Sequence, residues 1–286
     1  MKTLNIIGAG RVGQTLGRLW QQSDVFTVQD VLTNSSDSAQ AACGLMGAGI
    51  PVTQMAQMRS ADVWMLAVPD AQIAVVAETL AAHQPAAPTS GPPIVFHCSG
   101  AQSSASLALL AALGWHTASA HCILSFASAE LAIQQFPGTA CALEGDTSAI
   151  AVLHSAFTAI HARCFEVASE DKLLYHAAAV FATNFLPVIQ SVAEDAWLAA
   201  GVPEDLIPGL RSSLLNNAVA NITRLGPAGA LTGPAARGDV AAITRQAKAV
   251  TQWDAKAGAA YEALSALALR LAKAKTETSP TAASKY

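Results

Sequence analysis

Short apolar runs alternate with amphipathic stretches over the first 167 residues of the chain. The runs expected to form strands are Leu4–Ile7, Thr27–Leu32, Val63–Val68, Ile94–His97, Thr117–Ala120, Thr139–Leu143 and Cys164–Val167. The stretches with helical periodicity include Arg11–Gln22, Asp70–Ala82, Ser104–Leu113 and Thr147–His161. Nearly continuous apolar strands that alternate with helices are typical of a mostly parallel sheet covered on both faces. The pattern therefore predicts a doubly wound α/β domain.

The pattern changes after Ser169, because the chain to about Ala274 consists almost entirely of helix formers. This composition predicts an all-α domain whose first helix, Asp171–Ala200, is long and kinked at Pro187. We predict a nucleotide-binding domain over residues 1–168, a helical substrate and dimerisation domain over 169–275, and a flexible tail over 276–286. A Pro- and Ser-rich stretch, Pro85–Pro93, is expected to be a surface loop.

Composition excludes several classes of protein. The 286 residues are 52% hydrophobic and 13% charged, so the chain can bury a sizeable core. The net charge is −4 and the basic residues are scattered, which argues against nucleic acid as a partner. No apolar run approaches the ~18–20 residues of a bilayer span, and the N-terminus does not resemble a signal peptide. The five cysteines include no CxxC pair, so we expect neither disulfides nor a metal site, and a cytoplasmic location.

A glycine-rich loop follows the first predicted strand. Its sequence is Gly8-Ala9-Gly10-Arg11-Val12-Gly13, which is GxGxxG between a strand and a helix. In this position the first glycine permits a tight turn, the second lets the backbone approach a pyrophosphate, and the third lets the helix pack on the sheet. The start of the helix favours the phosphates. The motif therefore predicts a dinucleotide-binding Rossmann domain; the alternative is a tight turn without a ligand.

The end of the second strand indicates which nucleotide is bound. NAD sites usually place an acid there for the ribose hydroxyls. Asp30 is the only acid, and alternation places it inside the strand. Thr33, Asn34 and Ser35 are better placed at the ribose, and Arg11 is within reach of a 2′-phosphate. These features favour NADP over NAD, and the absence of a terminal glutamate argues against FAD.

Further motifs occur in a recognisable order. They are Leu66-Ala67-Val68-Pro69-Asp70, His97-Cys98-Ser99-Gly100-Ala101, His121-Cys122-Ile123-Leu124-Ser125-Phe126, Lys172-Leu173-Leu174-Tyr175-His176-Ala177-Ala178-Ala179, and Leu231-Thr232-Gly233-Pro234 with Arg237-Gly238-Asp239. Together with the glycine loop they resemble a family of Rossmann-like oxidoreductases with a helical C-terminal domain of unknown function. That family is similar to pyrroline-5-carboxylate reductase, the deazaflavin-dependent NADP oxidoreductases and the β-hydroxyacid dehydrogenases.

The resemblance implies a C-terminal domain like that of 6-phosphogluconate dehydrogenase and a homodimer, but no particular substrate. Two positions depart from the family pattern. Cys122 stands where the family usually has proline, and Asn34 stands where it often has arginine. The second departure removes a cation that would hold the extra phosphate of NADP.

Several residues at predicted strand ends are candidates for nucleotide binding. Ala67, Val68 and Pro69 are expected to touch the nucleotide through their backbone, at the edge where open α/β sheets bind ligands. His97 and Ser99 are expected near the nicotinamide, with hydrogen bonding inside their loop as the alternative. Asp70, which follows this proline, is expected to cap the next helix.

The candidate catalytic residues are Lys172, His176 and His121. Lys172 and His176 are four residues apart and share a helix face; in β-hydroxyacid dehydrogenases this spacing joins a lysine acid or base to an asparagine that orients the substrate. Hydride transfer to a carbonyl or imine needs such a donor. A solvated lysine and a structural histidine are the alternatives.

Three further residues, Ser125, Asn184 and Arg237, are candidates for substrate binding in a cleft between the domains, and Asp239 is expected to cap a helix. The sequence thus favours an NADP-dependent oxidoreductase acting on a small carbonyl or imine, with a carboxylate as a further expected feature. A dinucleotide-binding sensor or scaffold without catalysis is the main alternative, and a purely structural helical protein is a third.

Overall fold

The structure is a computed structural model that describes residues 1–83 and 91–278. Most of the expected loop Pro85–Pro93, and the expected tail beyond Thr278, therefore lie outside the described residues. The chain divides into two compact units, the first comprising Met1–Thr183 and the second beginning at Asn184. The predicted boundary near residue 168 is fifteen residues earlier.

The first unit contains an eight-stranded sheet. Its strands are β1 (Lys2–Ile7), β2 (Phe26–Leu32), β3 (Ile50–Val52), β4 (Val63–Leu66), β5 (Ile94–His97), β6 (His116–Cys122), β7 (Ala140–Gly145) and β8 (Arg163–Glu166). Their order is β3-β2-β1-β4-β5-β6-β7-β8, and every neighbouring pair is parallel except β6 with β7. The predicted mostly parallel sheet is confirmed. Strand β3 was missed because it is three residues long and contains Pro51, which is tolerated here at the edge of the sheet.

Helices cover both faces of this sheet. They are α1 (Arg11–Gln22), α2 (Ser36–Met46), α3 (Ile73–His83), α4 (Ala108–Ala112), α5 (Ala129–Gln135), α6 (Thr147–Ala159) and α7 (Lys172–Ala179). On one face Trp20 packs edge-to-face against Phe26, Phe96 and Phe157. Trp64 is fully buried on the other face. Because both faces are buried, the strands are apolar at nearly every position, which is why the sequence showed them as continuous runs.

The parallel strands place four loops along one edge of the sheet. These loops are the glycine loop after β1, Ala67–Pro69 after β4, His97–Gly100 after β5, and the loop from His121 to Phe126 at the end of β6. In open α/β sheets this is the edge where ligands bind. Candidate chemistry that is dispersed over 120 residues of sequence is thereby collected at one edge.

The long helix predicted at Asp171–Ala200 is interrupted. After α7 a π-helical turn occupies Val180–Asn184 and α8 (Phe185–Ala199) follows. Proline lacks an N–H and its ring clashes with the carbonyl four residues earlier, so Pro187 disfavours regular α-helix at Thr183. The wider π turn relieves that clash, which explains why the irregularity precedes the proline.

The second unit is helical, as predicted. It contains α8, α9 (Ile207–Ala230), α10 (Gly233–Ala236), α11 (Val240–Trp253) and α12 (Ala255–Thr278). Asp239 caps α11 by accepting a hydrogen bond from the amide of Ala242 at 2.9 Å, as expected. Helix α12 extends through Thr278, so the first three residues of the expected tail are helical.

One stretch of the chain differs from the expectation that no apolar run approaches the length of a bilayer span. Residues Ser169–Ala199 are, by length and composition alone, long and apolar enough to cross a membrane, and an 18-residue window within them has a mean hydropathy of 1.3. The sequence pattern missed this because polar residues, among them His176, Asn184 and Gln190, interrupt its apolar runs. Lys172, near its start, has its side chain buried in the first unit, whereas Leu173 and Leu174 are 73% and 74% exposed.

Candidate functional site

The glycine loop is held tightly against the end of β4. Gly8 has a φ of +82°, and a Cβ there would lie 2.6 Å from the carbonyl oxygen of Ala67. A Cβ on Gly13 would lie 2.6 Å from the carbonyl oxygen of Gly8. By contrast, among the described residues no atom outside Gly10 and its two chain neighbours lies within 4 Å of the position that a Cβ on Gly10 would occupy. The loop thus closes on the sheet at two glycines and leaves open space at the middle one, where helix α1 begins.

A cavity of about 520 Å³ adjoins this loop. Its lining comes from the glycine loop, the exits of β2, β3 and β4, helix α2, and helix α3 with the turn before it: Ile7, Gly8, Ala9, Gly10, Leu32, Thr33, Asn34, Ser38, Thr53, Met55, Ala67, Val68, Pro69, Gln72, Val76 and Thr79. No charged side chain is among them. Eight of the predicted nucleotide-binding residues therefore line this cavity: Gly8, Ala9, Gly10, Thr33, Asn34, Ala67, Val68 and Pro69. The cavity is large enough for part of a dinucleotide.

The polar end of the cavity lies at the exit of β2. Thr33 and Asn34 line it, while Ser35 instead caps helix α2 by accepting from the amide of Ser38 at 3.2 Å. Asp30 is 1% exposed and accepts hydrogen bonds from the guanidinium and the amide of Arg59. Since it is ion-paired inside the sheet, Asp30 supplies no carboxylate to the cavity, as its position in the strand indicated.

Arg11 and Val12, both predicted at the nucleotide, are not among the lining residues. The guanidinium of Arg11 donates to the carbonyl oxygen of Phe126 at 3.3 Å, in the loop after β6. It therefore points toward that loop, although the sequence suggested that it reaches a 2′-phosphate near the end of β2. Val12 packs against the hydrophobic core under α1.

The polar side chains of the loop after β5 form hydrogen bonds with backbone groups of the same loop. His97 is fully buried; its Nδ1 accepts from the amide of Ser99, and its Nε2 lies 3.0 Å from the carbonyl oxygen of Ser103. Burial lowers the pKa of His97, so it is neutral and Nε2 carries the proton. The hydroxyl of Ser99 donates to Asp70 at 2.7 Å and accepts from two following amides. Both side chains are thus engaged with protein groups, in keeping with the alternative of hydrogen bonding at this loop; a place near the nicotinamide stays a prediction.

Asp70 also differs from its expected role. It begins a short 3₁₀ turn before α3, and that turn has no side-chain cap. Its carboxylate instead accepts the Ser99 hydroxyl, and its backbone carbonyl accepts the side-chain amide of Gln102. Asp70 therefore ties the loop after β5 to the loop after β4.

Lys172 lies deep in the first unit. Its side chain is 2% exposed, and Nζ donates to Ser119 Oγ at 2.6 Å and to the carbonyl oxygen of Ser99 at 3.1 Å. Burial lowers the pKa of Lys172, and the negative charges of Glu144 and Asp70 oppose that shift. The lysine thus fixes the first turn of α7 to the ends of β5 and β6.

Glu144 on β7 is the counter-charge behind this lysine. It is 3% exposed and accepts hydrogen bonds from the hydroxyls of Ser104, Ser119 and Ser169 and from the amide of Ser104. Burial raises the pKa of Glu144, but these hydrogen bonds outweigh it and leave the pKa below its usual value. Ser119 accepts from Lys172 and donates to Glu144, so a continuous polar chain joins the two charges.

His121 and His176 meet over Gly100. Their ring centroids are 5.6 Å apart, and a Cβ on Gly100 would overlap with His176 Nδ1 and lie 2.9 Å from His121 Nε2. Burial, together with the charges of His176 and Lys172, lowers the pKa of His121 to about 4 although Asp70 opposes the shift. Within the described part of the chain, His176 Nδ1 is the buried side-chain nitrogen or oxygen that has no hydrogen-bond partner. A buried polar atom without a partner marks a position where a ligand atom can bind.

The structure brings the three predicted catalytic residues, Lys172, His121 and His176, to one edge of the sheet. Ser125 is exposed in the loop after β6. Asn184 and Arg237 belong to the second unit, where Arg237 is exposed after α10. Their roles stay predictions.

Sequence reasoning missed Ser119, Glu144 and Tyr175. Tyr175 places its hydroxyl 2.8 Å from His121 Nδ1. An acid and a serine in otherwise apolar strands were the available signals for the first two, because a buried polar side chain needs a partner. Nothing in the sequence pattern singles out Tyr175 beyond its place between Lys172 and His176.

The five cysteines are free thiols. Cys122 ends β6 with its sulfur 3.7 Å from that of Cys141, and all five cysteines are unpaired by disulfides. Over residues 1–83 and 91–278, no cluster of three or more His, Cys, Asp or Glu side chains is arranged to hold a metal ion.

The sheet order and glycine loop define a Rossmann-like dinucleotide-binding class. Residues 2–121 match the family model of a Rossmann-like domain, and residues 139–268 match that of a domain of unknown function, DUF2520. The chain therefore combines a Rossmann-like domain with a C-terminal DUF2520 domain. A comparison with curated proteins gave no match.

Solved structures share this fold. Protein TM1727 from Thermotoga maritima is 24% identical, with a TM-score of 0.75 over 96% of this chain and 100% of its own. Protein BF3122 from Bacteroides fragilis, provisionally described as an NADP oxidoreductase, is 20% identical, with a TM-score of 0.69 over 94% and 98%. An imine reductase variant from Myxococcus stipitatus in complex with NAD+ is 15% identical, with a TM-score of 0.58 over 96% and 94%. Pyrroline-5-carboxylate reductases also share the fold.

Proposed function

We propose that the protein is an NADP-dependent oxidoreductase that transfers hydride between the nicotinamide and a small carbonyl or imine substrate bearing a carboxylate. One observation carries the proposal. A glycine cradle with open space at Gly10 and a cluster of the buried Lys172 with the half-buried His121 and His176 lie along one edge of the same sheet. Both are needed for hydride chemistry, since one binds the nucleotide and the other handles the proton.

The residues present fit a nicotinamide dinucleotide. The amides at the start of α1 have no partner within the helix and are available to a pyrophosphate. Thr33 and Asn34 offer neutral hydrogen-bonding groups at the ribose, and no acid in the cavity would repel a 2′-phosphate. This supports NADP, with NAD as the alternative. When bound, the nicotinamide supplies or accepts a hydride.

The chain's own residues supply the rest of the chemistry. His121 is neutral at physiological pH, so an N–H of its ring can donate to the substrate's reacting heteroatom. His176 offers the unpartnered Nδ1 beside it. The positive charge of Lys172, which already lowers the pKa of His121, favours negative charge developing on that atom. In this proposal Lys172 acts through its charge, because its ammonium is bonded to Ser119 and Ser99.

The helical unit supports the proposal of a homodimer. Large apolar side chains of α9 are about half exposed, including Leu214, Val219, Ile222 and Leu225. Exposed apolar surface of this extent is typical of an interface. We further propose a soluble, cytoplasmic protein with neither nucleic acid nor membrane as a partner.

A sensor or scaffold that binds the dinucleotide without catalysis is the second candidate. The observation that favours it is that Lys172 donates to Ser119 and Ser99, while the polar atoms of His97 and Ser99 are bonded to other protein groups. Such a protein would bind nucleotide and turn nothing over.

Titration of NADPH fluorescence, followed by a panel of keto acids and cyclic imines, tests the two candidates. An enzyme oxidises NADPH with some member of the panel, and His176→Ala then lowers turnover about 100-fold or more while the Kd for NADPH is unchanged. Substitution of exposed His154 by alanine on α6 is the matched control. Binding without oxidation by any substrate supports the sensor, and no binding at millimolar nucleotide refutes both.

A further inference from the structure

Tyr175 completes the cluster around His121. Its hydroxyl lies 2.8 Å from His121 Nδ1, the two rings meet edge-to-face at 5.6 Å, and the ring of Phe165 meets the phenol edge-to-face at 6.1 Å. The ring positions are therefore fixed by packing, and the hydroxyl meets the nitrogen of His121 that faces away from Gly100. His121 Nε2 is left on the side of Gly100 and His176.

The direction of this hydrogen bond follows from the chemistry of the two groups. Burial raises the pKa of Tyr175, so the phenol keeps its proton, and burial keeps His121 neutral. A phenol O–H is a stronger donor than a neutral imidazole N–H, and an imidazole nitrogen is a better acceptor than a phenol oxygen. The O–H of Tyr175 therefore donates to Nδ1, and the ring proton of His121 is on Nε2.

We propose that Tyr175 holds His121 as its Nε2–H tautomer and replaces the proton that His121 gives to the substrate. The inference rests on the proposed oxidoreductase function and assigns the proton path within it. Tyr175 is a positioning residue, because it acts on the substrate through His121.

The proton balance of the step is complete. When a carbonyl carbon of the substrate gains hydride from the reduced nicotinamide, the C=O π bond breaks and the oxygen takes one proton from His121 Nε2. The Tyr175 proton moves to Nδ1 as the Nε2–H bond breaks, so the imidazole stays neutral. Water reaches the partly exposed Tyr175 and returns one proton to the phenolate. The sum is one hydride and one proton added to the substrate.

Other nearby groups are less suited to this role. Lys172 donates to Ser119 and Ser99, and the carboxylate of Asp70 accepts from Ser99. Glu144 accepts from serine groups. Tyr175 thus combines partial exposure to water with a direct hydrogen bond to His121.

Nitrogen NMR of histidine-labelled protein tests the tautomer without nucleotide or substrate. In wild type at neutral pH we expect His121 Nε2 to be protonated and Nδ1 to be an unprotonated acceptor. In Tyr175→Phe, which keeps the ring packing, the Nδ1 resonance should shift and the tautomers should mix. Tyr261→Phe is the matched control, because Tyr261 donates to Gln246 on the second unit and should leave the spectrum unchanged. Protonation of Nδ1 in wild type would overturn the proposal.

Kinetics with a substrate from the panel tests the proton transfer. Tyr175→Phe should lower kcat at least about tenfold with the Kd for NADPH unchanged, and should change the solvent isotope effect on kcat. Tyr261→Phe should leave kcat within twofold. An unchanged kcat in Tyr175→Phe overturns the relay in a working enzyme. Failure of wild type to bind NADPH refutes the proposed function instead, and the NMR result then still decides whether Tyr175 sets the tautomer.

Discussion

The ammonium nitrogen of Lys172 lies 2.6 Å from the hydroxyl oxygen of Ser119, where both side chains are almost fully excluded from solvent. The same hydroxyl donates a hydrogen bond to the carboxylate of Glu144 at 2.7 Å. Lys172, whose spacing from His176 resembles a catalytic pattern, therefore also has a structural role, because its hydrogen bonds fix α7 to the sheet. This position determines where Tyr175 and His176 lie.

Removing the charge of Glu144 should destabilise the fold. Glu144→Gln leaves Lys172 without its buried counter-charge and some serine hydroxyls without an acceptor, so the free energy of unfolding should fall by about 3 kcal/mol. Urea denaturation measures this. Glu194→Gln is the matched control, because Glu194 pairs with the half-exposed Arg211 and should cost at most about 1 kcal/mol. Equal losses in the two variants would contradict the buried chain.

A side chain at Gly100 should disturb the two histidines without affecting the nucleotide. The added methyl of Gly100→Ala overlaps with His176 Nδ1 and crowds His121, so turnover should fall at least about tenfold. The Kd for NADPH should not change, since the glycine loop is untouched. Gly209→Ala on α9 adds the same methyl where, among the described residues, no atom beyond its chain neighbours and the local helix backbone lies within 4 Å, and it should leave turnover unchanged. Normal turnover in Gly100→Ala would remove this pair from the reaction.

His121 should make the fold less stable in acid. Its pKa of about 4 in the fold lies below the roughly 6.5 of an unfolded histidine, so between these values the unfolded chain binds the additional proton. The contribution is complete above pH 6.5 and is lost as the pH falls toward 4, by at most about 3 kcal/mol. Unfolding free energies of wild type and His121→Gln, measured across this range, should therefore converge in acid. A constant difference between them would show that His121 has the same pKa in the folded and in the unfolded chain, and so would contradict the lowered pKa.

A carboxylate at the ribose end of the cavity should reverse the nucleotide preference. Asn34 lines this end, so Asn34→Asp should weaken NADPH binding at least tenfold, about 1.4 kcal/mol, through repulsion of the 2′-phosphate. NADH binding should be retained or improved. Calorimetry measures both affinities, with Asn217→Asp on α9 as the control. Tighter binding of NADH than of NADPH by wild type would refute the NADP assignment.

The glycine loop and the exit of β4 were identifiable from sequence because their chemistry is local. Gly8, Gly10 and Gly13 act through backbone geometry that a strand–turn–helix segment fixes by itself. Asp30 was likewise placed inside its strand by alternation alone. These features need no knowledge of which distant residue lies beside them.

Side-chain partners across the sheet could not be predicted in this way. His97 and Ser99 were expected at the nicotinamide, but their polar atoms are engaged within their loop and by Asp70. Arg11 was expected at a phosphate, but it meets the carbonyl oxygen of Phe126, 115 residues away. Such choices depend on the order of the strands, which periodicity does not reveal.

The sequence by itself determined a parallel α/β sheet, a dinucleotide-type loop and a helical second unit, because hydrophobic periodicity and glycine geometry act over a few neighbouring residues. The tertiary structure decided that Lys172 is bound to Ser119, that Glu144 balances it, and that Tyr175, His121 and His176 form one cluster. The physical reason is burial: once these groups leave water, each needs a partner, and the nearest candidates come from strands and helices that are distant in the chain.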